Sequence, residues 1–230
     1  MNELVSSSAS FGVVISLLAF YVGTLLKKKF KLGIFNPLLI AIILTVAFLL
    51  VFKIDYENYY ASAKYLSWLL TPATVSLAIP LYIEIERLKK NIKAILISIF
   101  VGSLVSLLCV LVMSMLFGFN HAQYITFLPK SITTAIGMSV SQELGGIVPI
   151  TVAAIVVTGI LGNMIAETVL KIFKITDPVA KGLAIGTSAH AIGTAKAMEF
   201  GETEGAMSSL AIVVAGILTV IGAQIFAMFI

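Results

Sequence analysis

The sequence predicts an all-α, polytopic membrane protein, and three observations carry that prediction. Of its 230 residues 60% are hydrophobic and only 11% are charged, with a mean hydropathy of +1.10, whereas soluble domains carry about a quarter charged residues. Uncharged apolar runs occupy 11–26, 36–52, 94–117, 148–170 and 206–230, each near the length of about 20 residues that crosses the hydrocarbon core as a helix. Three more stretches, 65–83, 122–145 and 180–199, are apolar but interrupted by proline, glycine or charge. Together these give about seven crossings plus a re-entrant or broken segment, in a single transmembrane domain over 1–230 with no room for a separate soluble domain.

Composition also narrows the function classes. A net charge of +4 suits basic cytoplasmic loops, and no basic stripe with interleaved aromatics points to nucleic acid. The single cysteine, Cys109, lies inside an apolar run, so no disulfide framework or thiolate metal cluster is expected. Glu3 stands where a signal peptide would carry lysines, so the first apolar run reads as a retained helix. There is no HExxH, nucleophile elbow or phosphate-binding glycine loop, and His121 and His190 are the only histidines. Neither an enzyme, a metal site nor a cofactor is expected. A hydrolase built on Ser188 and His190 is disfavoured, because residues two apart on a helix face away from each other.

The interrupted stretches hold the polar chemistry. The first, 65–83, contains Pro72 and Pro80 with Thr71, Thr74 and Ser76 around them. The second, 122–145, carries Pro129, Lys130, Ser131, Thr133 and Thr134, with Ser131 a candidate cap for a half-helix. The third, 180–199, places Gly186, Thr187, Ser188, His190, Gly193 and Thr194 in succession. Backbone broken at membrane depth is tolerated only where it is buried in protein or lines a cavity. His190 reads either as a functional intramembrane group or as a neutral histidine bonded across helices. Its neighbouring hydroxyls and glycines suit a small carboxylate. Lys130 reads equally as a carboxylate partner or as an interfacial anchor. Asn163 lies deep enough in 148–170 to bond to a broken segment. Gly182 and Gly186 form a small-xxx-small pair that suits helix packing.

Lysines set an expected orientation. "KKKFK" at 27–31, "ERLKKNIK" at 86–93 and Lys171, Lys174 and Lys181 read as cytoplasmic, with the mixed or acidic loops 53–64 and 199–205 outside. The N-terminus is then outside and the C-terminus cytoplasmic, and 122–145 enters and leaves on the outer side as a re-entrant hairpin or paired half-helices. An inverted repeat is expected over about 11–117 and 122–230, marked by "AKYL" at 63–66 and "AKGL" at 180–183. Broken helices of two such copies meet near the midplane of many secondary carriers. Chance similarity among apolar segments is the alternative.

Two passages, "FLPKSITTAIGMSVSQELGGI" at 127–147 and "GTSAHAIGTAKAMEFGETEGAMSSLA" at 186–211, resemble the LrgB/CidB family of bacterial membrane proteins, which is related to the plastidal glycolate/glycerate translocator. The resemblance covers essentially the whole chain and departs from the family's common pattern at Ala135, where proline is frequent. It implies a multi-pass protein of the bacterial cell membrane. Two functions are implied as alternatives. One is an antiholin-like regulator of murein hydrolase export and autolysis, acting beside a small LrgA-like membrane partner. The other is a carrier of small monocarboxylates such as pyruvate or glycolate. The broken segments and the repeat favour the carrier, in an assembly that includes possible homo-oligomers. The small organic anion is then expected between the 128–137 and 186–196 breaks, held by Lys130, Ser131, Thr133, Thr134, Asn163, Ser188, Gly193 and Thr194, with His190 donating a hydrogen bond or a proton. Thr71, Pro72, Thr74, Ser76 and Pro80 form the first repeat's break.

Overall fold

The computed structural model describes residues 8, 10–30, 35–69, 72, 75, 76 and 78–230. All regular structure among them is helical, and the chain divides into two compact units, Met1–Ser76 and Leu77–Ile230. Thr71 and Thr74 lie outside the described residues; Pro72 and Ser76 are exposed.

The first unit holds α1 (Phe11–Phe30), α2 (Pro37–Val51) and α3 (Tyr56–Ser67). Asn36 starts α2 by accepting from the amides of Leu38 and Leu39, and Pro37 occupies the first turn, where its missing N–H would have had no helical partner. Gly12 and Gly23 let α1 approach its neighbours closely. A Cβ at Gly12 would stand 2.6 Å from the Tyr59 carbonyl oxygen, and one at Gly23 2.7 Å from that of Pro37. Polar groups inside this packing are paired. The Gly12 amide donates to Ser62 Oγ at 2.7 Å, and the hydroxyls of Ser16 and Tyr59 bond at 2.7 Å.

The second unit holds α4 (Ala78–Ile83), α5 (Ile85–Phe117), α6 (His121–Phe127), α7 (Thr134–Glu143), α8 (Val148–Ile172), α9 (Pro178–Phe200) and α10 (Glu202–Phe226), followed by a 3-10 turn at Ala227–Phe229. Pro80 lies within α4. Of the five uninterrupted runs, four become helices long and apolar enough to cross a membrane: α1, α5 from Lys89, α8 and α10. The fifth, α2, is apolar but has 15 residues, about 22 Å at the helical rise, shorter than a hydrocarbon core of about 30 Å. α5 departs from helical geometry at Asn91 (φ −117°, ψ 15°). It ends at Gly118, whose φ of +64° lets the Phe119 amide turn back to the Ser114 carbonyl at 2.9 Å.

Side-chain bonds define the two ends of this unit. The Tyr124 hydroxyl donates to the Phe226 carbonyl at 2.9 Å and His121 meets the Ile230 carbonyl. The end of α5, the start of α6 and the end of α10 therefore share one end. At the other, Thr203 bonds Glu84 at 3.1 Å, Lys181 pairs with Glu204 at 3.8 Å and Lys196 with Glu167 at 3.7 Å. Lys89, Lys90, Lys93, Lys171, Lys174 and Lys181 belong to this second, basic end.

Two hairpins enter between the spans, one from each end. In the first, α6 leads in and α7 leads back. The Ile147 amide donates to Thr126 Oγ1 at 2.8 Å, Thr151 Oγ1 donates to the Thr126 carbonyl at 3.0 Å, and Ser141 and Thr151 bond at 2.7 Å. These bonds tie both limbs to the start of α8, the re-entrant geometry expected for 122–145. The second hairpin is α9 itself, which reverses at His190 (φ 41°, ψ −140°). A Cβ at Gly193 would stand 3.2 Å from the Ile185 carbonyl oxygen, a pair that eight residues of straight helix would hold about 12 Å apart. The reversal corrects one reading of the charges. Residues 199–205, expected on the opposite side from Lys171 and Lys181, lie at the same end as those lysines, and the single passage of α10 then carries Ile230 to the other end. Lys171, Lys174 and Lys181 and the chain end therefore lie at opposite ends of the second unit.

Candidate functional site

Why α9 breaks where it does follows from small residues on both sides of it. Cβ atoms added at Gly182 and Gly186 would each come within 2.4 Å of a backbone oxygen of α10, from Glu204 and Ser208 respectively. One added at Gly162 of α8 would come within 2.4 Å of Ala189 Cβ. The hairpin is thus wedged between α8 and α10 at distances only glycine allows. At its tip the φ and ψ of His190 fall in a region that β-carbon-bearing residues rarely occupy, at a strain of about 1–3 kcal/mol. Three bonds hold it there. His190 Nε2 bonds the Ile155 carbonyl at 3.0 Å, Thr194 Oγ1 donates to the His190 carbonyl at 3.0 Å, and the hydroxyls of Thr194 and Ser208 bond at 2.7 Å. The ring rests against Gly159, where a Cβ would stand 2.7 Å from Cε1. Asn163 Nδ2 donates to the Ile192 carbonyl at 2.9 Å, fixing the returning limb.

The first tip, residues 128–133, is built differently. Successive turns bond the Lys130 amide to the Phe127 carbonyl and the Ile132 amide to the Pro129 carbonyl, and Pro129 is fully buried. Thr133 occupies the N-cap of α7 but makes no capping side-chain bond, and Thr134 opens the helix. Ser131, the expected cap, is used elsewhere: its hydroxyl bonds Ser106 Oγ of α5 at 3.0 Å and accepts from Lys130 Nζ at 3.0 Å.

The two hairpins converge on Ile155 of α8, with Gly137 of α7 facing its side chain and His190 of the second tip bonded to its carbonyl. Beside them lie two cavities of about 660 and 430 Å³. Lys130, Ala184 and Ser188 line both; the larger also takes Ser98, Gly102, Ser106, Cys109, Ser131 and Thr187, and the smaller Thr158. Lys130 makes no ion pair among the described residues. Of the residues singled out from the sequence, Lys130, Ser131 and Ser188 line this space. His190, Gly193, Thr194 and Asn163 do not; they build the second tip and bind it to α8 and α10. Thr187, named among the hydroxyls beside His190, lines this space too; sequence reasoning missed Ser106 and Thr158, although Ser98, Gly102 and Ser106 recur every four residues in the run 94–117. No group of three or more His, Cys, Asp or Glu side chains is placed to hold a metal among the described residues.

The fold and site define a class: a helical, multi-pass membrane protein with two opposed hairpins whose tips line one cavity, where a lysine among hydroxyls has no ion pair among the described residues. The chain belongs to the LrgB-like family, whose model matches residues 16–229. It is 40% identical over 221 residues, 96% of either chain, to an antiholin-like protein LrgB of Bacillus cereus (strain B4264). The same identity and coverage hold for an antiholin-like protein LrgB of Bacillus anthracis (strain CDC 684 / NRRL 3495). No solved structure matches the chain.

Proposed function

We propose that the protein is a membrane carrier for a small organic monoanion, with the anion's carboxylate at Lys130. The observation that carries this reading is the lysine itself. An ammonium held at a hairpin tip deep in the second unit is expensive unless an anion or a polar cavity meets it. Among the described residues its side-chain partners are the hydroxyls of Ser131 and, at 3.5 Å, Ser106, neutral groups that leave the charge for a ligand. Thr187 offers a further hydroxyl from the second hairpin, beside Ser188, whose own proton goes to the Ala184 carbonyl at 2.7 Å, and a single cation suits a single carboxylate such as that of pyruvate or glycolate. Thr133 and Thr134 support the first tip. His190 works as a positioning residue that fixes the second tip, and does not itself touch the substrate. With the basic end cytoplasmic, the C-terminus lies outside. Within the second unit a hairpin followed by a span occurs twice in opposite sense, at 121–172 and 178–226, a pairing that lies wholly inside the second of the two copies expected at 11–117 and 122–230.

That the relatives are antiholin-like proteins favours a second reading, which we extend to a regulator of murein hydrolase export working with an LrgA-like membrane protein. Uptake of labelled pyruvate and glycolate into proteoliposomes, with a dye-leak control and a Lys130→Gln variant, separates the two. Saturable uptake without leak, lost in the variant, supports the carrier. Absence of saturable flux, both alone and with an LrgA-like protein added, removes it in favour of the regulator.

A further inference from the structure

We infer that the solute reaches Lys130 from the basic end only, through an entrance running along one face of α5, and that the opposite end is sealed in this conformation. The inference rests on the carrier reading for its purpose, but its geometry stands by itself. Asn91, Ser98, Gly102, Ser106 and Cys109 fall on one stripe of α5, flanked by Ile97, Val101 and Val105. A third cavity, of about 250 Å³, begins at the basic end between Asn91, where α5 bends, and Asp177, the N-cap of α9. It shares Ser98, Ala180 and Leu183 with the larger cavity at Lys130. From Asn91 to Cys109 the stripe extends about 27 Å along α5, most of a hydrocarbon core of about 30 Å. A stripe of hydroxyls and an amide that long faces water or protein more favourably than lipid.

Among the described residues the other end is filled with packed side chains. Leu107, Val110 and Leu111, on the other face of α5, pack with Tyr124, Leu128 and Phe226 into one buried cluster, and the Tyr124 hydroxyl bonds the Phe226 carbonyl. Tyr124 and Leu128 are 0% and 1% exposed. The first hairpin therefore plugs the end from which it enters, while the outer face of the second hairpin's leading limb, at Ala180 and Ala184, forms one wall of the entrance. Small side chains at both positions keep that wall low.

The chain carries its own reporter, since its one cysteine lines the Lys130 cavity. The unmodified protein would be treated with the anionic thiol reagent sulfonatoethyl methanethiosulfonate in intact cells and in inverted vesicles, and the remaining free thiol read by a maleimide-polymer gel shift. Modification from the basic face should be at least about tenfold faster than from the other, because a minor state open to the far side would be populated at 10% or less. Equal or faster modification from the far face overturns the inference. So does modification by neutral N-ethylmaleimide alone, the result expected if Cys109 faces lipid. Ser98→Trp should slow the basic-face reaction several-fold while leaving it intact in denaturant. If that variant does not fold, the native chain's sidedness still decides. Lys130→Gln tests the other reading separately: it should slow the anionic reagent relative to a cationic one of the same size. An unchanged ratio with one-sided labelling retained would sink Lys130 as the anion's partner and keep the entrance.

Discussion

The two hairpins reach the same level of the protein by opposite means. The first turns over six residues, 128–133, with Pro129 to stop the entering helix and ordinary backbone bonds to close each step. The second turns at one residue, His190, which has the backbone angles of a glycine and one local bond, from Thr194 Oγ1 to its carbonyl. Its reversal is imposed from outside by α8 and α10, through Gly159, Gly162, Gly182 and Gly186. A re-entrant tip can therefore be written into its own segment or into the walls that receive it. The difference predicts where each hairpin is fragile.

The largest effect should come from the walls of the second hairpin. Gly186→Ala puts a Cβ against a backbone oxygen that cannot move as a side chain would, and should destabilise the fold by about 3 kcal/mol. Thermal melting of the purified protein in detergent would read this, and a Tm within a degree or two of the parent's would mean the hairpin is not wedged as described. Next, Lys130→Gln in the first tip should leave Tm unchanged while raising KM for the carboxylate tenfold to a hundredfold, the value of about 1.5–3 kcal/mol for a hydrogen bond to a charged group. Uptake kinetics in proteoliposomes decide it, and an unaltered KM would move the substrate elsewhere.

A third comparison reverses a common order. His190→Gly should be less destabilising than His190→Ala by about 1 kcal/mol, because only glycine is at ease with φ near 41°. If alanine melts higher, the strain assigned to the tip is absent. Smallest is Lys196→Gln. Lys196 sits between Glu167 and Glu199 at 3.7 and 2.9 Å, but both carboxylates are about half exposed, so its loss should shift stability by less than about 1 kcal/mol. A greater drop would show that the returning limb of α9 depends on this contact more than on the bond from Asn163 to the Ile192 carbonyl.

Legibility in the sequence followed the same division. The first hairpin could be read there because proline, lysine and a hydroxyl cluster interrupt an apolar run, and a loop entering and leaving on one side was needed to balance the charges. The break of the second segment could be read from its glycines and His190, but its direction could not. Charge places 199–205 on the far side, since it is acidic and the apolar stretch 180–199 is long enough to cross. Ser131 was expected to cap a helix by its position after Pro129. It instead bonds Ser106, a partner 25 residues earlier, at a separation that no local rule detects.

By itself the sequence determined that the chain lies in a membrane as helices, which runs form them, and that polar groups concentrate at two interruptions. Hydropathy and helix-breaking residues are local properties, so a single strand of text carries them. Only the tertiary structure decided that α9 folds back, that Lys130 and Ser188 share a space while His190 does not, and that Ser106 belongs with them. Those outcomes depend on which glycine faces which backbone across three helices, and that pairing exists only once the helices have packed.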